Sequence, residues 1–409
     1  MPPVLDSALA HRLSDAVDVP QLLELARGLV RIKSYTGSAG EVDAAHYLAH
    51  QLRARDLAPQ LQAVDEQRFN VLARAAGSGG GRSLMLNGHM DTNPVVLGWT
   101  RDPFAGEVED GWMYGLGVCN MKAALAAYVA AYDAVRRVGL RPRGDVVFAF
   151  VVGEQQGGVG TLKLLQEGLR TDYFIDGEPC ALSVLTLHAG VVALKIHVLG
   201  RMRHLSKMEE AINAIDKMYT VIDGLKRLRF SSDDRPDYRG LQRVNVSAIK
   251  GGMGREYMDW RTGIVPDFCT IFVDVRIAPG QDERSVLADV ERLLAELRAG
   301  DPQLHTEVEL IGPPQRHHFP PFEVSRDAEI VGIVADAARM VTGAEPEIGS
   351  VAPYKFYGTD AAHLSRAGIQ GVVCGPGGKK TTSPDEAVEV DELVNAARIY
   401  ALTIAAICG

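Results

Sequence analysis

Leu84-Met85-Leu86-Asn87-Gly88-His89-Met90-Asp91-Thr92 is an apolar run that ends in a glycine and two chemistry-bearing side chains set two residues apart. On an extended strand end that spacing points both side chains the same way. An Asp beside a His can hold one ring nitrogen and so choose which nitrogen faces outward. Two chemistries use that arrangement: a metal ligand with its orienting carboxylate, or an acid–base dyad. A polar strand-to-loop turn has the same letters, so the segment needs support from elsewhere in the chain.

Working outward, the same pattern recurs. Residues 145–152 are continuously apolar, as in a strand covered on both faces. They run into Gly153-Glu154-Gln155-Gln156-Gly157-Gly158. Residues 173–175 form a short strand pattern that ends in Asp176-Gly177-Glu178-Pro179, and 369–374 read as a further buried strand. Polar residues thus gather where apolar strands end, which is where open α/β sheets carry their sites. Helical periodicity covers 20–57 with a break at Ser34-Tyr35-Thr36-Gly37, then 123–138, 162–169, 325–341, 360–367 and 391–407. Between them the texture changes. Strands at 191–199, 243–250, 268–277 and 306–311 alternate with helices at 206–228 and 283–297 in the order βαββαβ. The fold class expected is α/β: a catalytic domain in two parts, 1–188 and 312–409, interrupted by a smaller domain at 189–311.

The 409 residues allow two domains and a large core. A net charge of −9 gives no electrostatic case for nucleic acid or an anionic membrane. Five scattered cysteines without C-x-x-C spacing read as reduced thiols, so a cytoplasmic protein is expected. The first residues show no basic region followed by an apolar run, and no stretch approaches membrane-spanning length, so neither a signal peptide nor a transmembrane helix is expected.

Taken together, Gly88-His89-Met90-Asp91-Thr92, residues 115–122, 153–160, Gly177-Glu178-Pro179, Asp274-Val275-Arg276, Gly358-Thr359-Asp360-Ala361 and 375–386 resemble, in the right order, the di-zinc family of acetylornithine deacetylase, succinyl-diaminopimelate desuccinylase, aminoacylase and carboxypeptidase G. The resemblance implies a zinc-peptidase-like catalytic domain with a mixed sheet between helices. It implies a ferredoxin-like lid that often dimerises, so a homodimer through the lid is expected. It also implies a small amide- or carboxylate-bearing substrate.

Carried over residue by residue, the resemblance makes His89 a metal ligand, Asp91 its orienting carboxylate, Glu154 the general base and Glu178 an acidic ligand. The bridging Asp falls on Asn120, a second-metal Glu on Gln155, and the last His on Thr382. Amides are poor zinc donors, and zinc sites want carboxylate, imidazole or thiolate. The expectation is therefore a site that has given up its metals: no cofactor, with Glu154, His89 and Asp91 catalytic in metal-independent acid–base chemistry. Cyclisation, isomerisation, elimination and acyl transfer are the candidate reactions. His204, Asn120, Gln155, Glu178, Arg255 and Thr382 are the expected substrate contacts. Two alternatives stay open. One is a zinc-dependent hydrolase of N-acyl amino acids or dipeptide-like amides, with metal on His89 and Glu178 and with His363 or Asp176 as a candidate further ligand. The other is a catalytically silent binding protein. Lys122 is a candidate positive charge, and Cys119 and Cys180 read as small buried residues.

Overall fold

The computed structural model describes residues 6–232, 235–313 and 316–409, and the described chain divides into two compact units. The first comprises the chain up to Leu187 together with Phe322–Lys355 and Thr359–Gly409; the second is His188–Pro321 with Phe356–Gly358.

The first unit is built on an eight-stranded mixed sheet. In spatial order its strands are Gln60–Ala63, Phe69–Ala75, Val146–Val151, Leu84–His89, Tyr173–Asp176, Gln370–Val373, Val184–Leu185 and Ile348–Gly349. Leu84–His89 runs parallel to both of its neighbours, so its carboxyl end lies beside the carboxyl ends of Val146–Val151 and Tyr173–Asp176. Every residue of those three strands is buried, which is why they read as unbroken apolar runs. The alanine-rich helix Ala123–Arg137 and the closing helix Val390–Cys408 are buried almost all round, because small side chains let helices pack closely. Tyr128 and Tyr400 meet between them with ring centroids 4.6 Å apart.

Tyr128 also pins the site end of the sheet. Its hydroxyl donates to Asn87 O at 2.9 Å and Ile175 O at 3.1 Å, one residue or two before the polar strand ends. Tyr128→Phe should cost about 1–2 kcal/mol in chemical denaturation, because it removes a buried donor without changing shape. An unchanged unfolding midpoint would show that the strand carbonyls are satisfied without it.

The second unit has the order strand–helix–strand–strand–helix–strand. Its antiparallel sheet is ordered Arg243–Gly252, Phe268–Ile277, Gly190–Leu199, His305–Leu310, the ferredoxin-like arrangement. Helices Ala214–Leu225 and Glu283–Gly300 supply the other half of its core, with Met218, Val221, Val290 and Leu294 buried against Ile196, Ile271 and Val273.

Sequence and structure differ in a few elements. The helix expected over 206–228 is split: Leu205–Glu210 is a short 3-10 segment and the α-helix starts at Ala214. Asn213 makes the break, because its side-chain oxygen accepts the Ile215 N–H and caps the new helix. The helix Ser7–Asp15 and the edge strand Gln60–Ala63 were not expected.

Candidate active site

His89 closes its strand, and Gly88 before it has no room for a side chain: a Cβ there would lie 2.5 Å from Met121 Cε. The imidazole Nδ1 lies 2.8 Å from the Asp91 backbone oxygen. A carbonyl only accepts, so Nδ1 donates to it and Nε2 is the nitrogen turned toward the site. The Asp91 carboxylate lies at 3.5 Å. It is held elsewhere as well, accepting from Glu154 N at 3.1 Å, Gln155 N at 3.2 Å and Thr36 Oγ1 at 2.9 Å. Asp91 therefore orients the ring from its backbone and fixes the Glu154 turn with its side chain.

His89 Nε2 is buried and makes no hydrogen bond. It points at Glu178 Oε1, 3.2 Å away, and Glu154 Oε2, 4.0 Å away. These three residues bring their donor atoms within 4.8 Å of one another. One imidazole and two carboxylates make a donor set that zinc accepts. Asn120 Nδ2 donates to Glu178 Oε2 at 3.2 Å, so the amide steadies the carboxylate.

Charge favours the same conclusion. Asp91, Glu154, Asp176, Glu178 and Asp360 are all buried, and His89 is the imidazole set among them. Burial, then the neighbouring carboxylates of Glu178, Asp360 and Asp91, push Glu154 well above the usual carboxylate range against the pull of His89. Burial and Glu178 raise Asp176 to about 7. Asp360 is raised well above its ordinary value by burial and Asp176, and neither of its oxygens has a hydrogen-bond partner. Burial would depress His89, but Glu178 and Asp91 more than reverse it and hold the imidazole well above its usual value. A cation at Nε2 would take the place of that proton and relieve the crowding of carboxylates.

The site's floor is the turn Val118–Lys122, anchored by Glu386. That carboxylate accepts from Gly117 N, Cys119 N and Asn120 N at 3.1, 2.9 and 3.0 Å. Burial outweighs those bonds and raises Glu386 to about 7. A folded-state value above the unfolded one stabilises at low pH: the contribution is complete below about 4.5 and is lost as pH rises through about 7. Glu386→Gln should therefore lose less unfolding free energy between pH 4.5 and 7 than the wild type in paired urea melts. An equal or steeper loss would place the Glu386 titration outside that window.

The structure brings together His89, Asp91, Asn120, Glu154 and Glu178. Gln155 joins through its backbone, and Thr382 is exposed on the 375–386 segment. His204 and Arg255 belong to the second unit. His204 Nδ1 accepts from Ser206 N, and Arg255 pairs with Glu307 at 2.9 Å. His363 Nε2 lies 2.9 Å from Gly157 O, and Asp176 accepts the Ala361 N–H at 3.0 Å, so neither joins the triad. Lys122 is buried, donates to Ile32 O and is lowered to about 7 by burial. Cys119 and Cys180 are buried thiols.

Residues 85–406 match the family described as Peptidase family M20/M25/M40. The chain belongs to this family. Acetylornithine deacetylase from Myxococcus xanthus is 27% identical over 350 residues, 84% of this chain and 85% of that protein. Among solved structures, human carnosine dipeptidase 1 superposes with a TM-score of 0.76 at 14% identity over the whole of both chains. A family M20 metallo-carboxypeptidase from Sulfolobus solfataricus reaches 0.74 at 17% identity, covering 94% of this chain and 98% of that one. At those identities the structures speak for the fold.

These findings correct the expectation of a metal-free site and of no cofactor. That reading counted the charge lost at Asn120, Gln155 and Thr382. It missed that Glu154 and Glu178 converge on a buried imidazole nitrogen of His89 in a family that includes metallopeptidases. No helix of the described residues is long and apolar enough to cross a membrane.

Proposed function

We propose that this M20 protein is a metal-dependent hydrolase of the amide bond in small N-acyl amino acids or dipeptide-like substrates. The observation that carries it is the buried His89 Nε2, without a hydrogen bond and facing Glu178 and Glu154. His89 and Glu178 would hold the cation, and Glu154 is the second carboxylate beside it. The cation, when bound, supplies Lewis acidity and a water of lowered pKa.

The chain's own residues do the rest. Glu154, 4.0 Å from Nε2, takes a proton from the attacking water and returns it to the leaving amine. Its burial suits the first half of that task, because burial and the neighbouring carboxylates raise its affinity for a proton. Asp91 keeps the His89 ring and the Glu154 turn in register. Asn120 holds one Glu178 oxygen.

A panel of N-acetyl amino acids and dipeptides, assayed with zinc, manganese or cobalt supplied, tests the reading. Hydrolysis of at least one member is expected, and no turnover with any metal would contradict it.

A homodimer formed through the second unit belongs to the same proposal. Arg243–Gly252 is one of the two edge strands of its sheet, and Ile249 and Tyr219 are exposed on that unit. Sheet edges of this kind pair readily across a two-fold axis. Sedimentation at micromolar concentration should give twice the chain mass; a monomer would count against it.

A further inference from the structure

We infer that Glu41, far from the other site residues in sequence, is the positioning residue that sets where Glu154 sits. The inference rests on the hydrolase reading for its kinetic arm only.

Glu41 lies in the first turn of the helix Ala39–Arg53 and is fully buried. A glutamate at that position ordinarily reaches back to cap its own helix. Here Oε2 accepts from Gly37 N at 2.7 Å, just outside the helix, while Oε1 crosses to Gly153 N at 3.0 Å. Asp91 accepts the next two N–H groups, those of Glu154 and Gln155. Three consecutive amides of the turn that carries Glu154 are thus held by two carboxylates from other parts of the chain.

The grip extends further. Arg68 Nη1 lies 3.2 Å from Glu41 Oε2 and donates to Gln156 Oε1 at 2.8 Å, closing the far end of the turn. The segment before the helix joins the two carboxylates, because Thr36 donates to Asp91 and Gly37 to Glu41. Gly153 sits at φ +68°, where side chains are strained, and a Cβ there would meet Val159 Cγ2 at 2.3 Å, so the turn needs glycine at the residue Glu41 holds. Removing the Glu41 carboxylate leaves the buried Gly153 N–H without its acceptor and takes one of the partners of Arg68, so the turn loses the contact that holds its first amide. Glu41 touches neither His89 nor Glu178, so it acts on the proton carrier and leaves the paired ligands alone.

Three measurements on the full chain test this. Amide hydrogen exchange over 153–157 reads the turn without any activity: Glu41→Ala should speed it at least about tenfold while exchange in Leu84–His89 stays unchanged. Kinetics on the substrate found by the panel should show kcat reduced about a hundredfold, the cost of a small misplacement at a reacting centre, with KM within about threefold. Zinc affinity by calorimetry should stay within a few-fold. Glu41→Gln keeps one carbonyl acceptor for Gly153 and should recover at least about tenfold of kcat. Unchanged exchange at 153–157 in Glu41→Ala would overturn the inference. So would a variant that loses only melting temperature, one whose KM rises and kcat holds, or a Glu41→Gln no better than Ala. An inactive wild type would sink the hydrolase reading alone, leaving the exchange result to decide the role of Glu41.

Discussion

Glu154→Gln is expected to lower turnover by about a hundred- to ten-thousandfold, the range general acid–base groups contribute. Gln keeps the shape of the side chain and removes the proton traffic. The fold should survive, because the turn is held through its backbone N–H groups by Glu41 and Asp91 and not through the Glu154 side chain. Its melting temperature should stay close to that of the wild type, since burial already disfavours the charged form of Glu154 and the amide keeps its shape. The check is kcat on the substrate found by the panel, alongside a thermal melt and zinc calorimetry. A variant that keeps wild-type turnover while binding zinc would remove Glu154 from the mechanism and leave the proton to another carboxylate, of which Asp360 is the unpartnered one.

His89→Ala is expected to have the larger effect. The imidazole is the neutral donor of the set, and its loss leaves Glu178 and Glu154 facing each other without it. Zinc affinity should fall by at least about a hundredfold, consistent with the cost of losing even a supporting group at such sites. Turnover should fall by at least about a thousandfold, as loss of several kcal/mol of charge stabilisation requires. The chain should remain folded, because His89 is the last residue of a strand whose ladder continues through Leu84, Met85 and Leu86. Activity in His89→Ala close to wild type would exclude the proposed site.

Much of this architecture is legible in the amino acids because hydrophobic periodicity reports burial directly. Residues 145–152 and 84–87 read as strands buried on both faces because both faces are covered. In the second unit the helix expected over 206–228 hid a break, because the cap at Asn213 interrupts a periodicity that runs on through it. The site was half legible. His89 ends its strand with Asp91 two residues on, and Glu154 and Glu178 follow the ends of strands that lie beside it in the sheet. The counting of lost charges at Asn120, Gln155 and Thr382 led to the wrong cofactor expectation, because donor convergence is a property of space and not of spacing. Glu41 was hidden for a different reason. A glutamate near a helix start looks like a solvated polar residue until the packing shows it fully enclosed.

The most direct measurement is reconstitution of the metal-stripped protein. After dialysis against a chelator, the account predicts no hydrolysis of the panel substrate, zinc binding by calorimetry that His89→Ala abolishes, and recovery of turnover in proportion to the zinc bound. Full turnover by protein that holds no metal, or zinc binding that His89→Ala leaves intact, would contradict it.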